Sequence, residues 1–400
     1  MRRYLSYVIL LFSVTCIFAQ NSTNSPYSRF GYGELNDNAI GANRAMGGLT
    51  IGMRQNNVIN AANPAAYSAI DSTIFMFDIG ASLLGTFYND ANGRNAKING
   101  NLEYVNLQFP IWKYFGASFG IMPYSSTGYS FSLNDSIGKD LHYTKTYNGY
   151  GGIMELYGGF SANIMDWLAL GFNAYFMKGD INNVRAITFK ESLERGMNEV
   201  SNMEIRDYRL RYGAQFFHTF GQHSFVLGGI FENSKKLNCN FKTIETTTKD
   251  TTLSVDAFSL PMVWGAGFSY TYDNRLTVGA EYMKTDWSHA MYFSKQDSLK
   301  SRSKISIGAQ YRHNPVGRNY AERMYWRTGF SISDSYILQN SVKDYCVSVG
   351  VGFPLRNIGT VINTTVEYGH RGAKGSLREN YIRFTLSASI AENWFMKRRL

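Results

Sequence analysis

Cysteine and proline are both scarce in this 400-residue chain, at three and seven copies. Past the first twenty residues, no apolar run reaches the roughly 20 residues that a membrane-spanning helix needs. The missing run excludes a helical membrane protein. The shortage of cysteine excludes a scaffold built on disulfides. Cys239 and Cys346, the two beyond the leader, lie more than a hundred residues apart; they either close one bridge in an oxidising compartment or stay unpaired. Metal-ligand spacing is lacking too: His142, His218, His223, His289, His313 and His370 are dispersed, and His218 and His223 read as a surface pair flanking one tight turn. No serine, histidine and carboxylate set stands at a catalytic spacing. Gly116-Ala117-Ser118-Phe119-Gly120 matches the nucleophile elbow, but that motif needs a strand-to-helix turn, and here it lies inside an alternating strand. Gly350-Val351-Gly352 reads as strand glycine easing curvature, with no helix behind it to hold phosphate. The expectation is a protein with no catalytic residue, no metal and no cofactor.

What is present starts with a leader. Residues 1–19 carry Arg2 and Arg3, an apolar run from Tyr4 to Phe18, and Ile17 and Ala19 before Gln20, the pattern of a secretory signal peptide cut near Ala19. Ser13-Val14-Thr15 is a poor lipobox ahead of Cys16, which argues against a lipoprotein. Removing residues 1–19 leaves 38 basic against 30 acidic residues, a net charge of +8 that is spread along the chain. No basic run is interleaved with aromatics, so nucleic acid is not an expected partner. The 28 tyrosines, 27 phenylalanines and 38 glycines beside a slightly negative mean hydropathy suit strands that show only one face to lipid.

Period-two alternation recurs at 168–176, 276–282, 305–311, 345–353, 362–368 and 381–390. In the last, Ile382, Phe384, Leu386, Ala388 and Ile390 share one face, while Tyr381, Arg383, Thr385, Ser387 and Ser389 share the other. Tight turns fall near Trp112-Lys113, Met165-Asp166, Gly221-Gln222, Asp273-Asn274 and 355–359, with a longer one at 314–320. Polar connections are expected at 89–99, 133–145, 181–201, 245–250, 294–300, 333–342 and 372–380. Short turns alternating with long loops predict an all-β transmembrane antiparallel β-barrel of about 14 strands over residues 73–400. A secreted sandwich does not require that alternation of lengths. Residues 128–133 and 184–189 are candidates for extra hairpin arms or loop strands. Trp394 and Phe395 near the C-terminus are expected to anchor the final strand at the interface and to serve as an assembly signal.

Residues 20–72 differ in character: rich in Asn, Gly and Ala, without sustained alternation. They either hang in the periplasm or fold into the lumen. Gly47 and Gly48, followed by Asn63-Pro64-Ala65-Ala66 just ahead of the first strand, resemble the hatch of the FadL/TodX-type outer-membrane transporters for hydrophobic compounds. The stretch at 25–33 resembles the mature N-terminus of the Bacteroidetes branch of that family. The resemblance implies a monomeric barrel in the outer membrane of a Gram-negative cell, with an N-terminal lumenal hatch at 20–72. It also implies passive uptake of small hydrophobic molecules, fatty-acid-like or aromatic, past Gly47, Gly48, Asn63, Pro64, Ala65 and Ala66. Asn63 is expected to supply backbone-like hydrogen bonds, Pro64 to fix a turn, and Ala65 and Ala66 to pack closely on the wall. The implied partners are outer-membrane lipid and lipopolysaccharide, the barrel-assembly machinery and a hydrophobic small molecule. The alternatives are a FadL-like barrel handling protein at the surface, with a secretion-system protein as partner, a structural barrel, and a general porin. Phe241 and Tyr292, at loop bases, serve either a ligand groove or a protein surface.

Overall fold

The computed structural model describes residues 22–90, 93–137, 141–189, 196–245, 251–255, 257–296, 298–338, 342–355, 359–372 and 377–394. Residues 1–19, read above as a leader cut near Ala19, and Phe395 lie outside them. Fourteen antiparallel strands form the wall: β1 (Ile74–Asp90), β2 (Gly93–Trp112), β3 (Phe115–Ile137), β4 (Leu141–Met165), β5 (Leu168–Phe189), β6 (Met197–Phe220), β7 (His223–Glu232), β8 (Met262–Tyr272), β9 (Leu276–Asp286), β10 (Arg302–Tyr311), β11 (Tyr325–Asp334), β12 (Lys343–Pro354), β13 (Val361–Gly372) and β14 (Arg378–Asn393). β14 pairs with β1 from Asn393↔Ile74 to Arg378↔Asn89, so the sheet closes on itself. Closure leaves no continuous edge for lipid to meet.

Parity sets the two faces. Ile382, Phe384 and Leu386 of β14 are exposed outward, with Leu170, Phe172, Leu227, Phe268, Ile307 and Val349 on other strands. This belt is the surface a bilayer takes. The polar faces are buried rather than wet: Thr385, Ser387 and Ser389 are at most 3% exposed, and Asp78, Asn106, Glu155, Asn173 and Ser348 are fully enclosed. The lumen is filled by the chain's own N-terminal residues.

Those residues form three short 3-10 helices, Pro26–Arg29, Gly41–Met46 and Pro64–Ala69, and a short strand, Glu34–Leu35. Local sequence explains each stop and start. The Ser25 side chain accepts from Tyr27 N, and the Asn63 side chain accepts from Ala65 N, each ahead of a proline that already holds a helical φ. Gly47, at φ 70°, ends the middle turn in the left-handed region. The segment joins the wall at the turn end of the barrel, where Trp394 N donates to Thr73 O at 3.1 Å.

Three of the expected loops are largely strand. β1 and β2 run into 89–99, β3 and β4 into 133–145, and β5 and β6 into 181–201. Residues 128–133 and 184–189 are continuations of β3 and β5 rather than added hairpin arms. At 25 residues, β4 spans about 80 Å, far beyond the roughly 10 residues a tilted strand needs to cross a bilayer. The strand pair Cys239–Glu245 and Thr251–Val255 lies outside the fourteen; it widens this tall wall by pairing with β6.

Candidate functional site

The wall admits the N-terminal segment through glycines. A side chain at Gly308 would strike the carbonyl of Met46, and one at Gly329 the peptide joining Met46 to Gly47. Gly171 would meet the Pro64 backbone at 2.6 Å, and Gly213 the Asn63 side chain. A side chain at Gly350 would come within 2.5 Å of the Ala45 methyl and one at Gly352 within 2.8 Å of Arg327 Nη1, so these two make room for a neighbour as well as shaping the strand. Asn63, fully buried, also donates Nδ2 to Ile51 O at 2.7 Å. Ala65 and Ala66 are buried beside it, and Tyr67 Oη donates to Asn173 Oδ1 at 3.0 Å. Gly47 N donates to Ser348 Oγ at 2.9 Å. Of the six residues singled out from sequence, Gly48 lines the central cavity; the other five pack against wall or backbone.

Charged groups hold the upper part of the segment. Arg44 reaches Glu103 at 3.1 Å and Glu367 at 3.8 Å, and Arg383 adds a contact to Glu367 at 3.6 Å. Asp37 takes Lys304 at 2.9 Å and Arg302 at 3.4 Å. Burial works against the Asp37 charge, but those two cations outweigh it and hold its carboxyl well below the usual range. Glu281 accepts from the backbone N–H of Thr50 at 2.6 Å and of Ile51 at 2.9 Å. A second cluster joins wall strands: Arg209 meets Glu155 at 2.6 Å and Glu232 at 2.5 Å, and Arg211 also meets Glu232. Buried pairs of this kind are costly to break, because the survivor is left charged and unmatched.

The wall is interrupted at one place. β2 pairs with β1 from Gly93 to Gln108, but with β3 only from Val105 to Trp112. β3 turns away at Pro123, where the register with β4 shifts between Pro123 and Ser125. Proline cannot donate to a ladder, and Gly151 and Gly152 across from it take φ of 116° and 157°. The gap holds a cavity of about 340 Å³ lined by Leu84, Leu102, Pro123, Met154, Glu103 and Arg383, among others. Outside it, Ile98 and Leu102 are 73% and 52% exposed. A strap from the N-terminal segment lies across it: Glu34 and Leu35 pair with Ser126 and Ser125, Asn36 N donates to Tyr124 O at 2.9 Å, Asn24 Nδ2 to Asn99 Oδ1 at 2.5 Å, and Asn101 Nδ2 to Ser22 O at 2.8 Å.

The loop end is capped by aromatics. Tyr32 of the strap packs 5.4 Å from the Trp287 ring and 6.5 Å from Phe258, and Tyr336 lies 5.1 Å from Trp287. Phe241 packs on Phe258 and Phe293 within the cap, and Tyr292 Oη donates to Gly31 O at 3.2 Å, so of the two loop-base aromatics Tyr292 holds the strap. Beneath this cap the central cavity is about 90 Å³, with Leu260, Ile230 and Met283 on one side and Arg209, Glu232 and Lys304 on the other. Ser118 donates to Leu107 O at 2.8 Å within the sheet.

The sequence missed the lumenal ion pairs and the gap. Asp207, Arg209 and Arg211 alternate with outward Tyr208 and Leu210, a legible inward charge stripe, and Pro123 is a legible break. What they face is not local in sequence.

The family model described as BamG matches residues 1–400. No curated protein matches the sequence. Among solved structures, the toluene transporter TbuX of Ralstonia pickettii is similar at 14% identity, over 88% of this chain and 98% of its own, with a TM-score of 0.59. The toluene transporter TodX of P. putida gives 13%, 90%, 100% and 0.57. The monoaromatic hydrocarbon channel CymD gives 11%, 92%, 100% and 0.57. At these identities the likeness shows the fold: a barrel of the FadL type.

Proposed function

The chain belongs to the BamG family, and from that premise and the FadL-type barrel we propose that it is an outer-membrane channel for passive uptake of small hydrophobic molecules. The tall wall and loops face outward, and the short turns face the periplasm. The observation that carries the reading is the gap between β2 and β3, where Leu84, Leu102, Pro123 and Met154 line the cavity beside Glu34, Glu103 and Arg383, and where Ile98 and Leu102 are exposed toward lipid. A greasy solute entering among the loop aromatics passes the cavity beside Gly48 and leaves sideways through this gap. That route spares it the polar lumen floor. The N-terminal segment is the hatch, and the strap at 22–36 is the part that must move, since it lies across the gap and carries Tyr32 into the cap.

A second reading has its own observation. The central cavity of about 90 Å³ is small and partly charged, and the hatch is pinned to the wall by glycine contacts and ion pairs. A sealed structural barrel, or one that handles protein, fits this equally tight interior.

The two are separated by Asn24→Cys with Asn99→Cys, in a Cys346→Ser background, expressed in cells lacking their own hydrophobic-compound channel. Uptake of radiolabelled toluene and of oleate is read with and without oxidant. Uptake above the empty-vector level that falls several-fold on oxidation and returns with reductant supports the channel. Uptake at the vector level, with the barrel folded and in place, sinks it in favour of the sealed barrel.

A further inference from the structure

The lumenal arginines divide by height. Toward the loop end, Arg44, Arg209, Arg211, Arg302, Arg371 and Arg383 each meet a carboxylate. Toward the turn end, Arg54, Arg312, Arg323 and Arg327 meet none among the described residues. Arg54 donates instead to Ala65 O, Gln215 Oε1, Ser68 Oγ and Asn163 Oδ1. Arg327, 5% exposed, donates to Gln310 Oε1 at 2.7 Å and Asn363 Oδ1 at 2.8 Å. The Tyr325 ring lies between Arg312 at 4.7 Å and Arg327 at 4.8 Å. Tyr325 Oη accepts from Arg312 Nη1 at 2.6 Å and Asn57 Nδ2 at 3.3 Å, and its own hydrogen meets no acceptor among the described residues. Nε of Arg312 and of Arg323 are buried and likewise reach none.

Arg54, Arg312, Arg323 and Tyr325 line one cavity of about 910 Å³ at the turn end. Asp71 is the single carboxylate on its wall among the described residues, and Asn56 Nδ2 already engages it at 3.2 Å. Apolar side chains share the lining with the cations: Met53, Ile74, Phe217 and Leu355. Elsewhere in the lumen this chain matches buried cations with acids; here it presents planar guanidinium forks, which suit carboxylates in pairs, and leaves them unmatched.

We propose that this mouth is a docking site for an acidic, partly apolar segment of a periplasmic protein. The charge is complementary to such a segment, the volume far exceeds one phosphate or carboxylate, and the apolar walls suit hydrophobic residues spaced between acids. The proposal depends on the orientation of the barrel and not on uptake, so failure of either leaves the other standing.

The test uses the full chain purified in detergent and a fluorescein-labelled hexapeptide, Glu-Leu-Glu-Glu-Leu-Glu, with its lysine-for-glutamate counterpart as control. Binding is read by anisotropy, and folding by heat-modifiable gel migration. Expected is binding of the acidic peptide alone, suppressed by salt, and weakened about tenfold or more in Arg312→Gln/Arg323→Gln, the loss of two charge-assisted bonds. If the double variant does not migrate as a folded barrel, Arg323→Gln alone carries the test, from the short helix Tyr320–Arg323 outside the wall, with about threefold weakening expected. Equal binding of both peptides, or affinity unchanged in the folded variant, overturns the proposal. So does displacement by inorganic phosphate at peptide-like concentration, which would mark a small-anion site.

Discussion

The two halves of the wall solve the same problem at different heights. β3 to β6 run 22 to 25 residues, while β7 to β12 run 10 to 12, close to what a tilted strand needs to cross a bilayer. The short half holds the middle of the N-terminal segment through glycines 308 and 329 and lets its loops fold inward as the aromatic cap. The tall half holds the strap and stands beyond the membrane as a fence. Toward its far end the alternation fades: Phe131 is half-buried and packs on Tyr147 at 5.2 Å, while Ser130, Ser132 and Asn134 are exposed and so is Leu133.

The link between the halves is the sharpest place to break this arrangement. Glu232 ends the short strand β7 and takes Arg209 and Arg211 of the tall strand β6. Glu232→Gln leaves buried Arg211 without a carboxylate and Arg209 with Glu155 alone, and is expected to cost about 3–5 kcal/mol, read as a lower urea midpoint of unfolding. A midpoint within error of wild type would mean that the halves do not depend on this contact. On the short half alone, Gly329→Ala pushes a methyl into the Met46–Gly47 peptide, and a loss of about 1–3 kcal/mol is expected by the same assay. Tolerance there would show that the segment slides on the wall. The smallest effect belongs to the fence: Lys145→Ala removes an exposed partner of Asp135, and no measurable change in midpoint is expected. A clear drop would mean that the fence carries stability and not only shape.

The same contrast explains what could be read from sequence. In 276–282, 305–311 and 381–390, lipid outside and polar filling inside give period two its full amplitude, and the strand count of fourteen follows from them and their tight turns. In 133–145 and 181–201, charged, polar and apolar residues mix without sustained alternation, so the stretch looks like loop. The site divides likewise. Asn63-Pro64 announces its cap and turn locally, and Pro123 marks the break in β3. The pairing of Arg44 with Glu103 and Glu367, or of Lys304 with Asp37, joins residues from different strands and the lumenal segment. Parity places such charges inside; only the closed barrel says which of them meet.

The hydrogen bond from Trp394 to Thr73 sets an order on assembly. It joins the stem of the segment made first to the end of the strand made last, at the seam where β14 meets β1. A ring shut before residues 22–69 had found its interior would exclude them, and readmission would mean unzipping that seam. The inner part thus has to wait in place as a mandrel while the staves gather round it.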